Sequence, residues 1–267
     1  MDGELHVGIR PGRAAPPRIA LLGGEVDLVT HEMVLDFTAA AIVQGRRAVV
    51  ANHNLHSLAL LRSSAPMRRF YALADLIEVD STPLILWGRM LGRPIGRDHR
   101  CTYLDWREAF WRRAAAQGWR VFYLGGAPGM AERGAAAVRG RWPGAAIATH
   151  HGCFDPEAGG TENQAVLAEI RAFAPDVLFV GMGMPRQEVW ILDNHGRLAP
   201  CVAFSIGAAF DYEAGAVPTP PRWSGRLGVE WLFRLAREPR RLAHRYLVEP
   251  WILLGPALRD LAGARKP

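Results

Sequence analysis

The sequence has few cysteines and no long apolar run, and each shortage argues against a class of protein. Only Cys101, Cys153 and Cys201 occur in 267 residues, with no Cys-x-x-Cys pair. This favours neither a disulfide framework nor a zinc site, and it fits a reducing cytoplasm. No uncharged apolar stretch reaches about eighteen residues, so we expect no transmembrane helix. Residues 1–17 lack a long apolar core, which argues against a signal peptide.

Positive charge is concentrated at the C-terminus. About half of the residues are hydrophobic, which is typical of a globular protein with a real core, and the net charge is +6. Residues 220–267 contain ten Lys or Arg and four acidic residues, so the rest of the chain is neutral overall. A neutral body with a basic tail indicates an anionic partner for the tail, which would be phosphate, lipid headgroups or nucleic acid.

Strand-like and helix-like segments alternate along residues 30–206. The strand-like segments are 48–51, 76–79, 121–124, 145–149, 177–180 and 201–206. The helix-like segments are 30–44, 67–74, 106–117, 130–141, 161–174 and 186–194. Strands separated by helices require crossover connections, which predicts an α/β, Rossmann-like fold: a parallel sheet with helices on both faces.

The character of the chain changes after Asp211. Residues 218–221 (PTPP) break regular structure, and the segment beyond them is rich in Trp, Leu, Phe and Arg. Its arginines recur at spacings of three or four, along one side of a helix. We therefore predict two parts, an α/β body over residues 1–217 and a basic, helical C-terminal appendage over residues 218–267.

Glycines mark the ends of three predicted strands. Gly125-Gly126 follows one strand, Gly181-Met182-Gly183 another, and Gly207 a third. Ligands of parallel sheets bind at the carboxyl ends of the strands, where glycine lets the backbone approach a ligand closely. A helix follows each of the first two turns, and helix N-termini attract phosphate. A single glycine often only ends a strand, but three at equivalent positions predict a ligand crevice.

Three segments in order resemble the WecG/TagA/CpsF glycosyltransferases of bacterial surface-polysaccharide assembly. The first is Asn52-His53-Asn54, where the family typically has Thr-Pro-Asn. The second is residues 74–80 (ADLIEVD) with Arg100 downstream, which is similar to the family's "adlvvpDG…R". The third is residues 180–188 (VGMGMPRQE), which is similar to "G-x-G-x-P-(K/R)-Q-E". Residues 229–235 and 238–241 also match the family's "LEWlyRL…EPrR" stretch. Residues 52–57 and 100–106 look closest to the xanthan-type GumM branch.

The resemblance implies an inverting transferase that moves a sugar from a UDP-sugar to a polyprenyl-diphosphate-linked acceptor. It implies peripheral attachment to the cytoplasmic face of the membrane, and Trp and Phe among the tail arginines suit a membrane interface. Asp80 would be the catalytic base. The expected substrate-binding residues are Asn52, Asn54, Arg100, Gly125, Gly126, Gly181, Gly183, Gln187, Arg234, Arg237 and Arg241.

Each candidate also has a purely structural interpretation. Asp80 would cap a helix over residues 82–91, Arg100 would form a surface salt bridge, and Gln187 would be a solvated residue in the first turn of a helix. The tail arginines, Arg240 and Arg245 included, would either clamp a diphosphate or form the solvated face of an amphipathic helix.

The chain departs from the family pattern at three positions. Ser81 stands where the family has Gly after the catalytic Asp, and Asn52 replaces Thr but keeps its capacity for hydrogen bonds. Thr219 stands in place of an arginine, which puts one phosphate contact in doubt.

Metal-binding patterns are missing from the sequence. His53 and His56 flank Asn54, but no third ligand stands nearby at a suitable spacing. Asp-x-Asp, with which metal-dependent nucleotide-sugar enzymes usually hold a cation, does not occur. We therefore expect no metal and no cofactor, with arginines supplying the positive charge.

Two other functions compete with the transferase. A nucleotide-dependent oxidoreductase is suggested by residues 125–129 (GGAPG) after a strand, but the Gly-x-Gly-x-x-Gly spacing fails, and His150-His151 stand where an acid is expected. A nucleic-acid-binding module would use the basic, aromatic tail, yet no recognised motif is present, so we expect no nucleic acid. The sugar, its acceptor and any homo-oligomer are left open.

Overall fold

The computed structural model describes residues 16–217, 224 and 229–264, with the side chains of Glu230, Arg234 and Arg241 left outside the description. The strands are Arg18–Leu21 (β1), Gly24–Asp27 (β2), Ala48–His53 (β3), Leu76–Val79 (β4), Arg120–Gly125 (β5), Ala146–His150 (β6), Val177–Gly181 (β7) and Val202–Ser205 (β8). The helices of the body are His31–Val43 (α1), Leu55–Ser63 (α2), Ala65–Leu73 (α3), Thr82–Met90 (α4), Tyr103–Gln117 (α5), Met130–Arg141 (α6), Thr161–Phe173 (α7), Arg186–Asn194 (α8) and Ala209–Glu213 (α9).

Six strands form one parallel sheet in the order β4-β3-β8-β7-β5-β6. Strands β3 and β7 are buried along their whole length, as expected when helices cover both faces of a sheet. Local sequence sets helix ends: the Thr30 hydroxyl accepts a hydrogen bond from Met33 N (3.4 Å) at the start of α1, and Gly118 ends α5 with a φ of 67°. The predicted Rossmann-like fold is confirmed.

Two apolar cores lie on opposite faces of the sheet. One contains the aromatic side chains of α5 (Trp106, Phe110 and Trp111) packed with residues of α1, α6 and α9. The other contains Leu58 of α2, Phe70 of α3 and residues of α4, α7 and α8. Because all six strands run parallel, their carboxyl ends meet at one edge of the sheet.

A small antiparallel hairpin, β1–β2, stands beside the sheet. Asp27 anchors it: the Arg18 Nε and Nη2 atoms donate to its two carboxylate oxygens at 2.8 and 2.9 Å, and the backbone N of Ile77 in β4 donates to it at 2.8 Å. The sequence did not predict the strand β2, because two of its four residues are acidic. The buried ion pair between Asp27 and Arg18 stabilises this short strand in the hairpin.

The C-terminal segment consists of short helices, Glu230–Arg237 (α10), Pro239–Ala243 (α11) and Leu254–Ala264 (α12), joined by single helical turns over residues 244–253. The Asp260 carboxylate accepts from Leu22 N (2.8 Å) and from Trp87 Nε1 (2.9 Å), and Glu249 Oε2 lies 2.5 Å from His56 Nδ1. These contacts attach the segment to the α/β body. Among the described helices, none has the length and apolar character needed to cross a bilayer.

Candidate active site

A cavity of about 550 Å³ opens at the carboxyl ends of β3, β4, β5, β7 and β8. It lies where the sequence predicts a ligand crevice. The sequence-predicted residues that line it are Asn52, Asn54, Asp80, Arg100, Gly126, Gly181, Gly183 and Gln187. The fold thus brings together eight candidates that are scattered over more than half of the chain.

Two of the predicted residues do not reach this cavity. Gly125 ends β5 beneath the surface, and a Cβ atom there would overlap the carbonyl oxygen of Gly181, so this glycine serves close packing between strand ends. Arg237 is exposed to solvent and lines neither this cavity nor the one that adjoins it. The predicted contacts of the Arg234 and Arg241 side chains lie outside the described residues.

A second cavity of about 360 Å³ adjoins the first. Its walls come from the starts of α2 and α4 and from the C-terminal segment, where Trp231, Tyr246 and Pro250 contribute. Four residues line both cavities, and they are Asn54, Asp80, Arg100 and Arg245. We call this shared wall the junction. It consists of one carboxylate, two guanidinium groups and one amide.

Asp80 follows β4 directly and belongs to the junction. Its backbone N donates to His53 O (2.9 Å), which continues the ladder between β3 and β4 by one residue. The N-cap position of α4 is Ser81 and not Asp80. Asp80 lines both cavities.

Arg100 is held next to the end of β4. Residues Val79 and Arg100 form a parallel β-bridge, and Cys101 N donates to Val79 O at 2.9 Å. The Arg100 Nη1 atom lies 3.5 Å from Asp105 Oδ2, which also accepts from the Thr102 hydroxyl at 2.8 Å. The side chain is only 14% exposed, so the expectation of a surface salt bridge is wrong. Arg100 is thus held at the wall shared by the two cavities.

The segment Asn52-His53-Asn54 places two amides at the cavities and a histidine in the core. Asn52 Nδ2 donates to Ser205 O at 2.5 Å, and the Asn54 side chain caps α2 by accepting from Ser57 N at 3.1 Å. His53 is fully buried, stacks on Tyr71 with ring centroids 3.8 Å apart, and has its pKa lowered to about 3 by burial. Such a histidine packs the core and stays neutral.

Gln187 joins the two loops that follow β7 and β8. Its Oε1 accepts from Gly183 N (3.2 Å) and Gly207 N (3.1 Å), and its Nε2 donates to Glu188 Oε1 (2.7 Å). The residue is 1% exposed, so the expectation of a solvated first-turn side chain is wrong. Burial raises the pKa of the neighbouring Glu188 to about 7.

Sequence reasoning missed several residues of the larger cavity. Glu78 is the most unusual, because it is a charged residue 3% exposed on a buried strand. Burial, and then the nearby charge of Asp80, raises the pKa of Glu78 well above its ordinary value. An acid inside the apolar run 76–79 is the pattern that points to it. Asp211, Tyr212 and Arg186 also line this cavity.

In the described part of the chain, no group of three or more His, Cys, Asp or Glu side chains is arranged to hold a metal ion. The positive groups on the walls of the two cavities are Arg100, Arg186 and Arg245.

Comparisons with known proteins point to a transferase family. The family model "Glycosyl transferase WecG/TagA/CpsF family" matches residues 19–267. Similar curated proteins are the N-acetylglucosaminyldiphosphoundecaprenol N-acetyl-beta-D-mannosaminyltransferases of Staphylococcus aureus strains MW2, NCTC 8325 / PS 47 and COL, each 29% identical over 169 residues. The matched segment covers 63% of this chain and 64% of each relative, which is less than two thirds of the relatives' length.

Proposed function

Because the chain belongs to the WecG/TagA/CpsF glycosyltransferase family, we propose that it transfers a sugar from a UDP-sugar to a polyprenyl-diphosphate-linked sugar. The product would enter a bacterial exopolysaccharide or another surface polysaccharide, and we include assignment to the GumM branch in the proposal. The observation that carries it is the junction, where Asp80 lines two adjoining cavities. A transferase with two substrates needs one group in reach of both.

The larger cavity suits the UDP-sugar. It lies at the carboxyl ends of parallel strands, where nucleotides bind in such folds. The helix α8 begins at its edge, and helix N-termini favour phosphate. Gly126, Gly181 and Gly183 leave its floor open to a close approach of the ligand. Its volume is within the range typical of small-molecule sites.

The second cavity suits the lipid-linked acceptor. Trp231, Tyr246 and Pro250 give it an apolar side, and Arg245 and Arg100 give it a positive one. Aromatic rings pack well against sugars and lipids, and arginine forks match the oxygens of a diphosphate. Since the cavity lies between the body and the C-terminal segment, both parts would form the acceptor site.

The proposed step is a single displacement with inversion. The acceptor hydroxyl oxygen forms a bond to the anomeric carbon of the donor while the bond from that carbon to the UDP oxygen breaks. The hydroxyl proton passes to the Asp80 carboxylate, and UDP leaves with the bonding pair. Arg100 and Arg245 would stabilise the charge that develops on the diphosphate, without a metal ion.

Attachment to the cytoplasmic face of the membrane is part of the proposal, because a polyprenyl acceptor stays in the bilayer. Exposed apolar residues of the C-terminal segment support it, with Trp251 at 68% and Leu258 at 66% exposure beside a basic sequence. Family membership decides against the oxidoreductase and the nucleic-acid-binding module.

A transfer assay tests the proposal. The full-length protein is incubated with UDP-glucose or UDP-N-acetylmannosamine and polyprenyl-diphosphate-linked glucose or N-acetylglucosamine, with and without EDTA. We expect one pair to give a β-linked disaccharide lipid and free UDP at an EDTA-independent rate. Failure of all four pairs would contradict these sugar assignments, and loss of activity in EDTA with recovery in Mn²⁺ or Mg²⁺ would contradict the metal-free step.

A further inference from the structure

A buried polar group of side chains lies in the larger cavity, beside the junction. Glu78 in β4 and Asn52 in β3 are register partners in the parallel sheet, so their side chains lie on the same face. They are 3% and 9% exposed, and both line the cavity. Trp106 of α5 lines it as well and is 1% exposed.

Each of these three residues has a buried polar atom that makes no hydrogen bond of normal geometry to the described residues, namely Glu78 Oε1, Asn52 Oδ1 and Trp106 Nε1. The Trp106 N–H lies near enough to the Glu78 carboxyl to oppose the rise of its pKa, but it does not reach Oε1 with hydrogen-bond geometry. The other end of the Asn52 amide is fixed, because Nδ2 donates to Ser205 O. Buried polar atoms are nearly always paired in native proteins, so three orphans on one cavity wall indicate a polar ligand group.

The chemistry of the set suits a hydroxyl group. A hydroxyl donates one hydrogen bond and accepts others, and the set offers both acceptors (Asn52 Oδ1, Glu78) and a donor (the Trp106 N–H). Burial, and then the nearby charge of Asp80, raises the pKa of Glu78, and a carboxyl group in its acid form donates as well as accepts.

The position of Glu78, Asn52 and Trp106 favours the sugar ring of the donor as the part of the ligand that they bind. Glu78 precedes Asp80 by two residues, which is about 6.6 Å along a strand. Both residues line the larger cavity, so a sugar whose reacting carbon lies beside Asp80 brings the rest of its ring within reach of Glu78. The uracil, at the other end of a UDP-sugar, lies farther from the reacting carbon.

We propose that Glu78, Asn52 and Trp106 form a subsite for a hydroxyl of the donor's sugar ring, with Glu78 as the specificity-determining residue. This rests on the proposed function, because it assumes a UDP-sugar in the larger cavity. A site built to bind a hydroxyl discriminates strongly against ligands that leave its polar groups unpaired.

Calorimetric titration with two ligands tests the subsite. The dissociation constants (Kd) of UDP and of the UDP-sugar that is active in transfer are measured for the wild type, Glu78→Gln, Glu78→Leu and Trp106→Phe. We expect Glu78→Leu to weaken binding of the UDP-sugar about tenfold or more, and Trp106→Phe several-fold, while the Kd of UDP stays within about twofold. Glu78→Gln keeps a neutral hydrogen-bonding group and should retain affinity within about threefold.

The control is Asn163→Leu, which removes a buried amide hydrogen-bonded to Trp190 and Asn194, away from both cavities. It should leave the ratio of the two constants unchanged. Equal changes for UDP and the UDP-sugar in Glu78→Leu, or no change in either Glu78→Leu or Trp106→Phe, would overturn the subsite. A wild type that binds no UDP would instead overturn the proposed function.

Discussion

At the residue scale, two buried titratable groups act in opposite directions on the pH dependence of stability. Burial lowers the pKa of His53 from 6.5 to about 3 and raises the pKa of Glu188 from 4.5 to about 7. The unfolded chain takes up a proton at His53 below pH 6.5, so folding loses stability as pH falls. It releases a proton at Glu188 above pH 4.5, so folding loses stability as pH rises towards 7.

Replacement of Glu188 by Gln isolates the second effect. The Gln187 Nε2 donor keeps an oxygen partner, but the cost of ionising a buried carboxyl disappears. The free energy of unfolding of Glu188→Gln relative to wild type should therefore rise by about 3 kcal/mol between pH 4.5 and pH 8. Urea denaturation at both pH values measures this, with the exposed Glu25→Gln as control. A difference that is the same at both pH values would show that Glu188 ionises normally.

At the scale of elements, the loops after β5, β7 and β8 pack against one another through glycines. A Cβ atom on Gly181 would overlap Gly207 O and the Tyr123 hydroxyl, and one on Gly125 would overlap Gly181 O. Glycine at these positions therefore has two effects: it allows neighbouring strand ends to pack closely, and it leaves room for a ligand.

Gly181→Ala should destabilise the protein, because backbone and a buried tyrosine must move to accept the methyl group. We expect a loss of about 1–3 kcal/mol in the free energy of unfolding. Gly140→Ala is the matched control: Gly140 lies in α6 with open space around its Cα, so alanine should stabilise by up to about 1 kcal/mol. Denaturation in urea compares the two, and similar effects at both sites would refute the packing role.

The elements of the body could be predicted because their patterns are local. The six strands of the parallel sheet are mostly apolar, and Thr30 and Gly118 mark helix ends. The C-terminal arginines, in contrast, were expected along one helical side. Pro239 begins a new helix immediately after α10, since proline has no N–H to continue a helix, so they are divided among short segments.

The candidate site could be predicted in two ways, from residues that follow strand ends and from the resemblance to a family. Gly181 and Gly183 were predicted this way, because parallel strands end at one edge, whereas Asp80 was predicted from the family resemblance. The second cavity was not predicted, since it depends on contacts between distant parts of the chain, such as the one between His56 and Glu249. Arg237 was predicted from its spacing, but it is exposed and lines neither cavity, which spacing alone does not reveal.

At the scale of the whole molecule, exposed apolar residues are concentrated in the C-terminal segment, at Leu247, Val248, Trp251, Ile252, Leu254 and Leu258, and α4 adds Leu86 and Met90. We refer to these residues together as the exposed apolar surface. The hydrogen bond from Trp87 to Asp260 joins the two parts. Adjacent basic residues would add attraction to anionic lipid, so docking here would bring the acceptor to its cavity.

Serine at two positions of this surface should weaken membrane binding. The double variant Trp251→Ser/Leu258→Ser removes apolar area that would enter the headgroup region, and we expect about tenfold weaker binding to anionic liposomes. Flotation measures it, with Val43→Ser in α1, an equally exposed apolar residue away from the C-terminal segment, as control. Equal flotation of the double variant and the control would rule this surface out as the membrane contact.

The central claim is that Asp80, at the wall shared by two cavities, takes the proton of the acceptor, and the initial rate of transfer by Asp80→Asn tests it most directly. The control is Asp75→Asn in the loop before β4, where the side-chain oxygen that accepts from Val49 N is retained. Circular dichroism checks the folding of both variants, and calorimetry measures their affinity for UDP. We predict that Asp80→Asn lowers the initial rate of transfer about 100-fold or more while its UDP affinity is unchanged. The rate of Asp75→Asn should be nearly normal. A rate for Asp80→Asn within about tenfold of wild type would contradict the account.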